Sequence, residues 1–398
     1  MDFGMSERCE GLREELLTFM DEHVYRAEKA NLAEMEASDD PYSGTSVLRA
    51  LKEIAKEKGL WNLFLPDDEW GPGLSNVDYA PLAEIMGRSA EIAPEATNCA
   101  APDTGNMEVL TTFGSHDQQQ EWLVPLLAGE IRSAFSMTEP RVASSDPRNL
   151  ETSIVADGED FVVNGRKWWI TGASSKECKI SIVMGVTNPD APPKQRFSMI
   201  LVPMDTPGMI VERDLPVFGF HERGGHSQIA YNNVRVPAAN IIGEPGSGYQ
   251  IAQARLGPGR IHHCMRVIGM AERALDMMKK RVKLRKAFGG PLADNAVIQE
   301  WIAESRMRID QARLLVMHAA WKIDTMGSRA ARVDVSAIKV VAPNSALWVI
   351  DKAIQAHGGA GIGDDFGLSR MYAFARTLRI ADGPDEVHRM VVARAELR

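Results

Sequence analysis

The chain has 398 residues, 44% of them hydrophobic and 25% charged. That balance belongs to a globular protein and excludes disordered, collagen-like and disulfide-scaffold classes. Lys and Arg total 45 against 54 Asp and Glu, a net charge of -9 that offers no basic face to nucleic acid or to an anionic membrane surface.

At roughly 150 residues per domain this length allows two or three domains. The four cysteines, Cys9, Cys99, Cys178 and Cys264, are spaced too widely to read as a metal or redox pair, and each is expected to be a small buried hydrophobe. No apolar run approaches the roughly 18 residues of a bilayer span. The opening MDFGMSERCEGLREELL lacks a signal-like apolar stretch, so a cytoplasmic protein is expected.

Three zones follow in order. Over 1–132 the pattern is helical, with Leu12, Leu16, Leu17 and Met20 at helical spacing and Leu48, Leu51, Ile54 and Ala55 repeating it. Over 133–243 the period drops to two. Phe161 to Val163, Asn164-Gly165 and Arg166 to Thr171 read as a hairpin, because Asn-Gly supplies the positive-φ pair of a tight turn. KISIVMGV, FSMILVPM and SQIAYNNVRVP add strands. Over 244–398 helices return, with apolar Val267, Met270, Ala271, Ala274, Leu275, Met278 and Val282 on one face. Further helices are expected near 296–325 and 333–355, before the glycine break at 358–361. The order predicts an α+β multidomain chain: an N-terminal α-helical bundle, a middle β-sandwich or barrel-like domain, and a C-terminal four-helix bundle.

Several stretches could carry chemistry, and each also has a plain structural reading. AFSMTEPRVASSD, 134–146, leaves a strand with hydroxyls that could hold a polar ring, or it is simply a loop entering a sheet. In Trp168-Trp169-Ile170-Thr171, strand alternation puts Trp169 and Thr171 on one face, an indole-and-hydroxyl wall for a planar cofactor or a packing surface. Arg285 to Gly290 reads as a helix C-terminus with a glycine cap. GGAGIG, 358–363, lacks the strand that a phosphate loop needs. Asp382 is either a cap of the last helix or a reactive carboxylate. His262 and His263, at the start of a helix, point too far apart to share a metal.

In this order the motifs TEP with its Ser-Asp, KWWIT, VRVP, NIIGEPGSGY, RKAFG, GGAG and ADGPDEVH resemble the acyl-CoA dehydrogenase family over nearly the whole chain. APDTGNMEVL, LGPGRIHHCMR and WIAES are similar to members whose dehydrogenase domain is elsewhere fused to a kinase-like domain. The resemblance implies FAD as cofactor, an acyl-CoA substrate, a homodimer or homotetramer, and an electron-transfer flavoprotein as acceptor. It implies flavin contacts from Phe135, Met137, Thr138, Ser144, Ser145, Trp169 and Thr171. Arg285, Gln355, Gly358, Gly359 and Glu386 would reach FAD, some of them on a neighbouring subunit. Ser145, Pro258 and Arg260 would face the acyl-CoA.

Asp382 stands where the family usually has a catalytic Glu. It would remove the α-proton, with the β-hydrogen leaving as hydride to flavin to give a trans-2-enoyl-CoA. The backbone N–H of residue 382 and a flavin hydroxyl would form an oxyanion hole of about 3–4 kcal/mol per donor. A lyase acting on a γ-substituted, for example 4-phospho, acyl-CoA and an oxidase of small nitro compounds are the alternative outcomes for such a site. The chain departs from the family in places. An extra residue precedes the Ser-Asp, leaving Ser144 and Ser145 to compete for one role. Ala296 stands in place of a Gln, Ala373-Phe374 replaces an Arg-Asp pair, and Pro384 cannot donate an N–H.

Overall fold

The computed structural model describes residues 4–398, except that inside helix Gly248–Leu284 the side chains of 256–258 lie outside the described residues. The Pro258 expectation therefore lies outside them. The fold is α+β, with helices before and after a curled sheet. Residue contacts divide the chain into two compact units.

The sheet unit comprises Arg26–Gly73 and Glu95–Leu256. Its strands are β1 (Arg132–Ser136), β2 (Ser153–Asp157), β3 (Asp160–Thr171), β4 (Cys178–Val186), β5 (Phe197–Pro203), β6 (Met209–Asp214) and β7 (His226–Pro237). They form one seven-stranded sheet in the order β1-β4-β2-β3-β7-β6, with β5 paired to β4. Ile154, Val163, Ile170, Val183, Ile200, Ile229 and Val234 are among its buried core.

One strand expectation needs correction, and one strand was not foreseen. Asn164-Gly165 is not a turn, because β3 runs straight through it and the register merely shifts there. The hairpin turn falls instead between Asp157 and Asp160, where Gly158 takes φ 67°. Strand β6 gave no alternation signal. It lies at the sheet edge with Ile210 and Val211 exposed, so only its pairing to β7 defines it.

A buried charge cluster fixes the start of β1. Asp103 accepts from the Ser133 N–H at 2.7 Å, the Ser133 hydroxyl at 2.6 Å and Arg132 Nε at 2.7 Å. Arg132 also pairs with Glu95. Burial alone would raise Glu95, but Arg132, Arg223 and Lys52 hold it down to about 2.

The helical unit comprises Met1–Tyr25, Leu74–Pro94 and Gly257–Arg398. Its long helices are Ala296–Met326 and Arg332–His357, with Gly248–Leu284 entering from the sheet unit's sequence. Helix Gly248–Leu284 runs through the LGPGR motif, so Arg260, His262 and His263 lie inside a helix and not at its start, as sequence suggested. Among the described residues one helix, Arg332–His357, is long and apolar enough to cross a bilayer, although Asp334, Lys339, Asp351 and Lys352 interrupt its apolar run. Val335, Ile338, Ala342, Ala346, Val349, Ile350 and Ala353 bury it as a core helix.

Helices Asn76–Gly87 and Gly248–Leu284 meet through glycines. A Cβ on Gly269 would stand 1.8 Å from Glu84 O, and one on Gly87 2.1 Å from Arg266 O. No side chain fits, so Gly269→Ala is expected to destabilise by about 1–3 kcal/mol through overpacking. Gly11, in helix Glu7–Phe19, meets nothing within 4 Å. Gly11→Ala is expected to stabilise by about 0.5–1 kcal/mol through helix propensity. Chemical denaturation of both variants checks the pair of signs.

Candidate active site

In the sheet unit the site grows from a buried ion pair that sequence reading missed. Lys167 Nζ donates to Glu139 Oε1 at 2.9 Å, Met137 O at 2.8 Å and Met184 O at 2.7 Å. Glu139 also accepts from the Glu151 N–H at 2.8 Å and the Thr152 N–H at 2.9 Å. Burial pushes Lys167 down to about 8. For Glu139 the burial penalty is outweighed by Lys167 and by the Thr152 and Glu151 bonds, which hold it below the usual carboxylate range. The pair is therefore ionised at neutral pH, and it ties the TEP segment to β3.

That tie positions a bulge. Thr138 Oγ1 donates to Trp168 O at 2.6 Å, and the Trp168 N–H donates to Thr138 O at 3.0 Å. The register shifts between Lys167 and Ile170, and Trp169 takes φ 55°. Simple alternation therefore fails across Trp168-Trp169. A left-handed Trp costs of order 1–3 kcal/mol, a strain that collects at functional positions. What brings Trp169 and Thr171 together is His226. Its ring lies 5.7 Å from the Trp169 ring, and its Nδ1 is 3.0 Å from Thr171 Oγ1. Trp169 stays 43% exposed. An exposed indole fixed beside a hydroxyl suits one face of a planar ring.

The two serines separate. Ser144 Oγ accepts from the Glu139 N–H at 2.8 Å and closes the loop, whereas Ser145 is exposed. Phe135, on β1, carries the Arg255 guanidinium 4.0 Å above its ring.

In the helical unit the centre is Asp382, a non-glycine residue at φ 55°. The last helix, Asp385–Glu396, takes Pro384 as its N-cap residue, two positions beyond Asp382. Asp382 Oδ2 stands 3.5 Å from His263 Nε2, and Asp382 O accepts from Arg260 Nε and His388 Nε2, each at 3.2 Å. Lys339, fully buried, donates to Leu378 O and, at 2.9 Å, to Ala381 O. Asp385 accepts from Asn344 Nδ2 at 3.0 Å and Arg379 Nε at 2.8 Å. Gly383, at φ 104°, leaves no room for a Cβ, which would sit 2.9 Å from His388 Nε2. Arg260 and Asp382, 122 residues apart, are predicted site residues that the fold brings into direct contact.

The remaining predicted residues lie apart. The helix before Arg285 ends at Leu284, and RKAFGG is not its cap but a hairpin pairing Lys286–Ala287 with Gly290–Pro291. Phe288 and Gly289 form its tip, with Phe288 fully exposed. The reason is local: both tip residues adopt positive φ, which a helix cannot continue. Gln355, Gly358 and Gly359 are exposed where helix Arg332–His357 ends, and Glu386 is exposed on the last helix.

Matches to acyl-CoA dehydrogenase cover the N-terminal domain over residues 6–130, the middle domain over 134–234 and the C-terminal domain over 246–397. The chain belongs to the acyl-CoA dehydrogenase family, a family of oxidoreductases. It is 58% identical to the probable acyl-CoA dehydrogenase FadE2 of Mycobacterium tuberculosis, covering 100% of this chain and 97% of that protein. It is 51% identical to acyl-CoA dehydrogenase family member 10 of Mus musculus, covering 99% of this chain but 37% of that longer protein. A solved Mycobacterium abscessus structure described as an acyl-CoA dehydrogenase matches with TM-score 0.97 at 52% identity over 99% of both chains.

Two outcomes follow from these contacts. Lys167→Met is expected to lower stability by about 3–5 kcal/mol, because it strands a buried carboxylate. Lys167→Met with Glu139→Gln should recover part of that loss, and thermal unfolding reads both. The second outcome concerns pH. Burial, then Arg260 and Lys339, pushes His388 down to about 4. The unfolded chain, with His near 6.5, binds that proton first. Stability from this group is therefore complete above about pH 6.5 and is lost as pH falls toward about 4. His388→Gln should flatten that part of the stability profile.

Proposed function

We propose that the chain is a FAD-dependent acyl-CoA dehydrogenase with Asp382 as its base. The observation that carries this reading is the Asp382 loop. A carboxylate two residues ahead of the last helix's N-cap is held by a strained backbone, and its own carbonyl is gripped by Arg260 and His388.

When bound, FAD accepts the substrate's β-hydrogen as hydride. Trp169 would pack on the isoalloxazine and Thr171 would bond a ring heteroatom, with Phe135, Met137, Thr138 and Ser145 completing that wall. The exposed indole supports this fit. Ser144, engaged with Glu139, supports assigning the substrate and cofactor role to Ser145.

Asp382 takes the α-proton onto a carboxylate oxygen, with the imidazole of His263 beside it. The N–H of Asp382 would polarise the thioester carbonyl and acidify that α-proton. Arg260, held at the same loop, would orient the acyl-CoA. Arg285, Gln355, Gly358, Gly359 and Glu386 would serve FAD, some of them on a second copy of the chain; the exposed hairpin bearing Phe288 supports a neighbour there. Electrons would pass to an electron-transfer flavoprotein.

Asp382→Asn tests the assignment. It keeps the backbone and removes the base, so the protein should fold and hold FAD while turnover falls by roughly 10²–10⁴. Turnover near the wild-type rate would move the base elsewhere.

A further inference from the structure

Beyond the base and the flavin wall, the sheet unit contains a hydrogen-bonded chain of hydroxyl, imidazole and carboxylate. Thr171 ends β3 and pairs across the ladder with His226, the first residue of β7. Thr171 Oγ1 lies 3.0 Å from His226 Nδ1, and His226 Nε2 lies 3.0 Å from Glu222 Oε2. The two side chains of the ion pair are 13% and 22% exposed, so the imidazole is enclosed but within reach of water. The His226 N–H is anchored to Asp214 Oδ1 at 2.8 Å. Asp214 in turn holds His221 Nδ1 at 3.0 Å, and the Tyr42 hydroxyl reaches the same nitrogen at 3.2 Å. Glu222, Asp214, His221, Tyr42 and the Trp169 ring are thus the groups that face or anchor this imidazole.

A carboxylate can only accept, so Nε2 carries hydrogen toward Glu222 in both charge states of the ring. Nδ1 is then the atom that changes. When His226 is neutral, Nδ1 is bare and takes the Thr171 O–H. Thr171 can then only accept from whatever lies on its open side. When His226 is charged, Nδ1–H donates to Thr171 oxygen and the O–H is released to donate outward. One proton on His226 therefore reverses the hydrogen-bonding sense of Thr171.

We propose that His226 is a positioning residue that couples one proton to the redox state of a flavin bound against Thr171, charged while the ring is oxidised and neutral once it is reduced. This rests on the flavin reading above. In that reading the substrate's β C–H bond breaks, and its hydrogen and both electrons pass to a ring nitrogen. That nitrogen accepted a hydrogen bond before and donates one afterwards. Thr171 must then switch from donor to acceptor. Its O–H turns to His226 Nδ1, and the proton held there leaves to solvent. Reoxidation by the electron carrier reverses each movement.

The test is the reduction midpoint potential of the FAD-loaded protein, measured against reference dyes from about pH 5 to pH 9. Uptake of two electrons with one proton changes the reduction constant tenfold per pH unit, or 29.6 mV. His226→Gln cannot titrate and should follow that slope throughout. The wild type should flatten over part of the range, because the proton released by His226 cancels the one taken up with the electrons. Glu222→Gln, which removes the neighbouring anion, should move the flat region to lower pH, and FAD retention by each variant is read by flavin fluorescence. Should His226→Gln lose FAD, the wild-type and Glu222→Gln curves still decide. A straight wild-type line with the full slope overturns the coupling. A chain that takes up no FAD sinks the flavin reading and this inference together; a loaded chain with coincident lines sinks only the inference.

Discussion

The Lys167–Glu139 pair is the constraint on which the Trp169 bulge of the sheet unit depends. It lies where water does not reach, and every hydrogen of the ammonium has an acceptor. A buried pair of this kind is poor evidence for extra stability, since well-packed apolar residues often do as well. What it supplies here is placement. The Glu belongs to the TEP turn and the Lys to β3, so their contact sets where Thr138 meets Trp168. That contact in turn holds the bulge that turns Trp169 outward. The motif letters that signal the family in sequence are thus physically coupled to each other.

The helical unit uses a related device. Lys339 is buried against the carbonyls of Leu378 and Ala381, and burial lowers its pKa. Its three donors suit the convergent carbonyls of a loop that turns sharply at Asp382. Arg260 and His388 take the next carbonyl, and Asn344 and Arg379 take the carboxylate of Asp385. A base must meet a particular C–H within a fraction of an ångström, and a loop fastened at several successive points loses little precision to thermal motion.

Much of this was legible from the residues alone. The helical, β and helical zones follow from periodicity, and β4, β5 and β7 lie where alternation of apolar residues placed them. The errors have local causes. Asn164-Gly165 looked like a turn because the dipeptide permits one, but cross-strand pairing to β7 overrode it. RKAFGG looked like a helix end because positive-φ residues serve both caps and hairpins. Alternation failed at Trp169 because a bulge leaves no periodic signature. His226, Glu222, His263, Lys339 and His388 were invisible for another reason: their partners are distant in sequence or belong to the backbone of another element, and no spacing rule reports such contacts. The sequence gives no sign of the partner of His263, since Asp382 lies at the other end of the helical zone.

Electron transfer from an acyl-CoA to a flavin is the activity we propose for this chain. The direct measurement is anaerobic titration of the FAD-loaded protein with a panel of acyl-CoA thioesters while flavin absorbance is followed. The expected result is stoichiometric bleaching by at least one thioester, with the matching enoyl-CoA as product. Product formed with no net loss of flavin absorbance would contradict the claim and make the chain a lyase that keeps its flavin oxidised.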